Sequence, residues 1–265
     1  MKSTLSAYNH LSNLCLKAEH RNTSTCKDIN KPIFTERVKY IINALASNGI
    51  EYSLDIFNSY GETYVNVEVF FKGLTNETRG YIAHHDINNP NSENCNDNSA
   101  SVSILLDFVN EVKNRNVLID NVLVVFTDNE EFGFSGAKRL AKNIKGGKYE
   151  NVKFVVNLEL TAYGSEFWQD SDKGTYLSVQ LEDKILETIK KNLFVVKTPP
   201  NDSMILRERG IDSICVGTLP TKEMDMAFEN NHCNTWRNCH KVYDTFDKAN
   251  GKDMDMVKKL LLELL

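Results

Sequence analysis

Two adjacent carboxylates, Glu130 and Glu131, follow an unbroken apolar run from Val122 to Phe126 and open onto the turn Phe132-Gly133-Phe134-Ser135-Gly136. Short apolar runs bounded by turn residues predict buried strands of a parallel or mixed sheet. In open α/β sheets the ligand crevice lies beyond the carboxyl ends of such strands. Sequence neighbours cannot both point the same way from a regular element, so one glutamate can hold a metal while the other faces a substrate. Taken alone, the pair also reads as the acidic first turn of a helix, where carboxylates favour the positive end of the dipole.

Other predicted strand ends carry residues of the same kind. A strand over Arg79 to Ala83 delivers His84-His85-Asp86, and a strand over Val152 to Leu158 ends in Glu159. The Asn-rich loop from Ile87 to Asn98 puts Asp97 next to a helix with Val102, Leu105, Leu106, Val109 and Val112 on one face, a place where Asp also serves as an N-cap. A long loop, 219–240, ends in Cys239-His240-Lys241-Val242-Tyr243-Asp244-Thr245. His84, Asp97, Glu130, Glu131, Glu159 and His240 together mix imidazole with carboxylate and include no thiolate, a set that suits zinc or a similar divalent ion. Two ions roughly 3.5–4 Å apart need a bridging carboxylate, with one His and one further acid each. The inventory meets that requirement.

The elements that must position these residues are readable from hydrophobic spacing. Tyr8, Leu11, Leu14, Cys15 and Ala18 fall at helical intervals within residues 4–20, and Val38, Ile41, Ile42 and Leu45 repeat the pattern before Gly49. The polar stretch 22–31 between them is a predicted loop. Glu51 to Phe57 and Tyr64 to Phe71 form a predicted antiparallel hairpin, the second strand alternating as if one face were covered. Short helices are predicted over Gly136 to Ile144 and after Asp202, an amphipathic helix over Leu181 to Leu193, a last inner strand over 210–217, and a final helix through Val257, Leu260, Leu261 and Leu264. Residues 162–176, including Trp168, read as an excursion over the site. Trp168 and loop 219–238 are candidates to wall a substrate pocket.

Size and charge narrow the classes of function. The 265 residues, 41% hydrophobic and 25% charged, suit one α/β domain with a sizeable core. A formal charge of −5 offers no basic field for nucleic acid or anionic lipid, which leaves small molecules or peptides as the expected partners. The amino terminus lacks the apolar stretch of a secretory signal, and no run reaches membrane-spanning length, so a cytoplasmic location is expected. Cys15, Cys26, Cys95, Cys215, Cys233 and Cys239 contain no Cys-x-x-Cys pair and are expected to be free thiols; a Cys233–Cys239 disulfide would require an oxidising setting. His85 should point away from His84 and pack, and His10, His20 and His232 are expected on the surface or in loops.

From Ala83-His84-His85-Asp86 to His240-Lys241-Val242-Tyr243-Asp244-Thr245, the ordered motifs resemble zinc-exopeptidase family twenty-eight, the two-zinc leucyl-type aminopeptidases. They are His-x-Asp, Asn-Asp-Asn before a helix, Glu-Glu after a strand, an acid after the next strand, and His-x-x-x-Asp-Thr. The resemblance implies a single catalytic domain over 1–265, an α/β/α sandwich with a mixed central sheet and helices on both faces. It also implies two zinc ions, one held by His84, Asp97 and Glu159 and the other by Asp97, Glu131 and His240, with Asp97 bridging. By the same resemblance Glu130 would be the general base, Asp86 and Asp202 would support the site from behind, and Glu130 and Glu159 would receive the substrate ammonium.

The implied activity is removal of N-terminal residues from peptides by a metal-activated water. The sequence departs from the family where Glu159 replaces the usual Asp, where Ser203 replaces the usual His after Asp202, and where Cys239 precedes His240. Tyr243 is the remaining candidate to steady an oxyanion. Alternatives on the same scaffold are a deacylase or carboxypeptidase, a glutaminyl-cyclase-like enzyme, for which a single metal would be expected, and a non-catalytic binding relative.

Overall fold

The computed structural model describes residues 6–15, 34–170, 176–228 and 233–265, with only the backbone at 176–179. Chain order is α1 (Ala7–Cys15), α2 (Glu36–Ser47), β1 (Ser53–Ser59), β2 (Glu62–Phe71), β3 (Thr78–His84), α3 (Ala100–Lys113), β4 (Asn121–Thr127), α4 (Ser135–Lys145), β5 (Val152–Leu158) and β6 (Glu166–Gln169). It continues through α5 (Tyr176–Lys184), β7 (Leu193–Val195), α6 (Asp202–Glu208), β8 (Ser213–Leu219), α7 (Met224–Phe228), α8 (Asn234–Asn238) and α9 (Gly251–Glu263). The strands form one eight-stranded sheet in the order β1-β2-β4-β3-β5-β8-β6-β7. The inner strands β4, β3, β5 and β8 are parallel. β2 runs antiparallel to β1 and β4, and β6 antiparallel to β8.

Alternation along the inner strands divides the apolar side chains between two layers. Tyr81, Ala83, Val122, Val124, Phe126, Phe154 and Val156 pack with α1, α2, α3 and α9 on one face. Ile82, Leu123, Val125 and Val155 pack with Leu140 and Ala141 of α4 and Leu206 of α6 on the other. This is the α/β/α sandwich with a mixed sheet that the sequence predicts. Each large apolar side chain so buried contributes about 1.5–3 kcal/mol. The helix starts are capped locally: the Thr35 hydroxyl accepts the Val38 N–H, and Asn201 Oδ1 accepts the Ser203 N–H. Among the described residues no helix is long and apolar enough to cross a membrane.

Several local expectations are corrected. β2 is buried on both faces, because Asn66 and Glu68 are as enclosed as Val67 and Val69. Asn66 serves α4, donating from Nδ2 to the Gly136 carbonyl at 3.0 Å. Within the stretch 162–176, read as an excursion, residues 166–169 are instead part of the sheet: β6 pairs with β8, and Phe167 and Trp168 are buried. Leu193 begins strand β7 instead of ending a helix. Loop 219–240 carries α7 and α8. Loop 22–31, Cys26, His20 and His232 lie outside the described residues. The remaining cysteines, Cys233 and Cys239 among them, are free.

His10, expected at the surface, is buried on α1, with Nδ1 2.8 Å from the Tyr40 hydroxyl. Burial lowers its pKa from 6.5 to about 4, against the pull of Asp107. The unfolded chain then binds the extra proton between those values, so stability present above pH 6.5 falls as pH drops towards 4, by about 3 kcal/mol in all. Denaturant titrations at pH 7 and pH 5 should show this loss in the wild type and a smaller one in His10→Gln. Equal pH slopes would remove His10 as the cause.

Candidate active site

β3, β4 and β5 lie side by side and parallel, so their carboxyl ends open on a common edge. His84 closes β3 in register with Thr127, the last residue of β4, and Glu159 follows directly after β5. Beyond these ends the backbone reverses sharply. Asn129, Leu160 and His240 take left-handed conformations with φ of 61°, 55° and 62°, the kind of strained backbone that concentrates at functional sites.

Asp97 occupies the centre. It sits in the irregular turn Cys95–Ser99 that leads into α3, and the peptide bond that follows it, to Asn98, is cis. Its Oδ1 lies 3.2 Å from His84 Nε2 and its Oδ2 3.1 Å from His240 Nε2. His84 Nε2 also faces Glu159 Oε2 at 3.5 Å, and His240 Nε2 faces Glu131 Oε2 at 2.7 Å. Two half-sites therefore share one aspartate. Ligand-type atoms of His84, Asp97 and Glu131 all lie within 4.8 Å of one another.

Asp86 braces this arrangement from behind. Its Oδ1 is 3.4 Å from His84 Nδ1 and accepts the Glu130 N–H at 3.0 Å, while Oδ2 accepts the Glu131 N–H at 3.2 Å. One buried carboxylate thus orients an imidazole and fixes the turn that presents both glutamates. Asp202 is also buried, at the start of α6, and its Oδ2 accepts the Thr127 hydroxyl at 2.6 Å. His85 packs as expected, with Nε2 3.0 Å from the Val65 carbonyl oxygen. Tyr243 is not brought into the cavity wall; it is 64% exposed.

The cluster is rich in negative charge that burial cannot screen. Burial drives Glu130 well above the ordinary carboxylate range, with Glu159, Asp202 and Glu131 adding repulsion. Burial also pushes Glu131 and Glu159 up to about 7 and Asp202 to about 6. Burial alone would lower His84, but Glu159, Asp86 and Asp97 outweigh it and raise the imidazole well above 6.5. Hydrogen bonds to Asp97 and Glu131 raise His240 to about 10. Against its own burial, Asp97 is held below the usual range by the two imidazoles. Oε1 of Glu131 and Oε1 of Glu159 are buried and accept no hydrogen bond. Such oxygens are costly unless a cation satisfies them, and imidazoles with carboxylates are a zinc-type donor set.

These residues line a cavity of about 230 Å³ whose other walls include Leu160, Trp168, Pro199, Pro200, Trp236 and Cys239. The Trp168 and Trp236 rings meet edge to face, with centroids 5.9 Å apart. Beneath them, an ideal Cβ on Gly217 would lie 2.0 Å from the Glu159 carbonyl oxygen and 2.4 Å from the Trp168 ring, so only glycine fits between ligand-bearing turn and aromatic wall. Sequence reasoning named Trp168 and loop 219–238 as wall candidates but missed the Thr198-Pro199-Pro200-Asn201 side, whose Pro-Pro pair signals a rigid extended segment.

The architecture is a mixed sheet with two imidazoles and four carboxylates gathered beyond its strand ends. The model described as Peptidase family M28 matches residues 66–265, and the chain belongs to that family. No curated protein sequence matches it. Among solved structures, the Legionella pneumophila LapA aminopeptidase is similar at a TM-score of 0.75 and 14% identity, covering 97% of this chain and 70% of that one. A glutaminyl cyclase from Porphyromonas gingivalis is similar at 0.74 and 14%, covering 98% and 96%. BSAP, a zinc aminopeptidase from Bacillus subtilis, is similar at 0.65 and 17%, covering 77% and 50%. At these identities the likeness is one of fold.

Proposed function

We propose that this chain is a metal-dependent aminopeptidase that hydrolyses the first peptide bond of substrates with a free N-terminus. The observation that carries the reading is the division of Asp97, one oxygen turned to His84 and the other to His240, with Glu159 and Glu131 completing the two sides. His84, Asp97 and Glu159 would hold one divalent ion and Asp97, Glu131 and His240 the other, most simply zinc. When bound, such a pair polarises the scissile carbonyl and lowers the pKa of water.

The chain's own residues do the rest. Glu130, in the cavity and outside the imidazole–carboxylate contacts, takes a proton from the attacking water and returns it to the nitrogen of the leaving amine. Glu130 and Glu159 face the same cavity and would receive the substrate ammonium. Leu160, Trp168, Pro199, Pro200 and Trp236 give the adjoining wall an apolar surface that favours apolar N-terminal side chains.

A second reading, glutaminyl cyclisation, is favoured by the near end-to-end mutual coverage with the cyclase structure. One experiment separates the two. A mixed peptide pool, including N-acetylated twins and glutamine-led members, is incubated with zinc-loaded protein and followed by mass spectrometry. The aminopeptidase should shorten free N-termini stepwise, leave acetylated twins intact, stop on chelation and resume with zinc. Loss of ammonia from glutamine-led peptides alone would establish the cyclase instead, and cleavage of the acetylated twins would point to a deacylase or endopeptidase.

A further inference from the structure

The geometry points to Asp244 as a positioning residue that couples the loop carrying His240 to the bridging Asp97. This rests on the two-ion reading above. Asp244 is buried, and its N–H donates to the Lys241 carbonyl at 3.1 Å, closing the turn that begins directly after His240. Its carboxylate reaches across to the turn before α3: Oδ1 accepts the Asn96 N–H at 2.7 Å, and Oδ2 accepts the Asp97 N–H at 3.0 Å. The Tyr163 hydroxyl lies 2.8 Å from Asp244 Oδ1 and 2.7 Å from the Thr245 carbonyl oxygen, holding the carboxylate from the β5 side.

The need for such a brace is specific to the second half-site. His84 and Glu159 leave neighbouring strands of the sheet, and the turn at Asp97 is tied to them where Asn98 Nδ2 donates to the Leu158 carbonyl and Asn96 Oδ1 accepts the Ala162 N–H, both at 2.8 Å. His240 instead stands on a loop, with its side chain 41% exposed. Asn89 Nδ2 donates to the His240 carbonyl and the Ser92 hydroxyl to the Lys241 carbonyl, both from the early part of the loop that leads to Asp97 and five or more residues before it. Among the described residues, Asp244 is the charged group that fixes the His240 loop directly to the backbone of Asp97. It therefore sets the separation of Asp97 Oδ2 and His240 Nε2, two of the groups that would hold the second ion.

The test is zinc titration of wild type and Asp244→Asn against a chromophoric competing chelator, with thermal melting and steady-state kinetics alongside. The amide keeps the shape but turns an N–H donor towards one of the two backbone N–H groups. Outer partners of metal ligands typically change affinity by 10–100-fold. The weaker zinc of Asp244→Asn should bind about 10–100-fold less tightly and the tighter zinc nearly as in wild type. kcat should fall at limiting zinc and recover in excess, with KM little changed. Tyr163→Phe, which keeps Asp244 and removes only the supporting hydroxyl, should shift the same site in the same direction by a few fold, and it covers the case in which Asp244→Asn does not fold. A lower melting temperature with both zinc affinities unchanged would overturn the proposal, as would equal weakening of both sites. Wild type that binds fewer than two zinc ions would overturn the two-ion reading itself, a result read before either variant is considered.

Discussion

Glu130→Gln is expected to lower kcat by roughly 10²–10⁴-fold, the usual contribution of a positioned general base, while zinc content stays at the wild-type level. The two properties separate because the contacts that join the imidazoles and carboxylates run through Glu131, Glu159 and Asp97. Glu130 enters the structure through its backbone N–H, which donates to Asp86 and survives the substitution. Glutamine fills the same space but cannot accept a proton. Kinetics on an N-terminally free peptide, paired with elemental analysis of the same sample, reads both quantities. Full turnover would dismiss Glu130 as the base, and loss of zinc would place it among the ligands.

Asp97→Asn should produce the second large effect: zinc affinity falls at both half-sites together, by more than the roughly 10–100-fold typical of an outer partner. The wild-type carboxylate turns one oxygen to each imidazole. The amide can offer an acceptor to only one of them, and the shared negative charge disappears for both. Titration with zinc should therefore show two weakened steps, whereas a single weakened step beside an intact one would mean that Asp97 serves one ion and does not bridge.

The parts of this site that are legible in sequence are those set by strands. The run Val122 to Phe126 and the run Phe154 to Val156 within β5 are apolar on both faces because helices cover both sides of the sheet, so the strand ends, and hence Glu130, Glu131 and Glu159, can be placed without coordinates. β6 and β7 are harder to see. They are only 4 and 3 residues long, too short for alternation to register, and they are held by pairing with β8 and with each other. His10 misleads because helical spacing does not reveal that a histidine on the inner face can be accommodated by a single hydroxyl, that of Tyr40. Asp244 is visible as part of a motif, yet its contacts span about 150 residues of chain and no local pattern encodes them.

Gly217 gives the site a fixed thickness. The Glu159 carbonyl and the ring of Trp168 both close on the one point of β8 where a side chain at Gly217 would begin. On the proposed reading, the carboxylate cluster and the aromatic wall are thus two leaves of one hinge-less book, bound at that residue. Variation that remodels the aromatic wall can proceed through Pro199, Pro200 or Trp236, which stand apart in sequence from the carboxylates. Variation at the spine would move both leaves at once, so chemistry and selectivity are free to diverge everywhere except there.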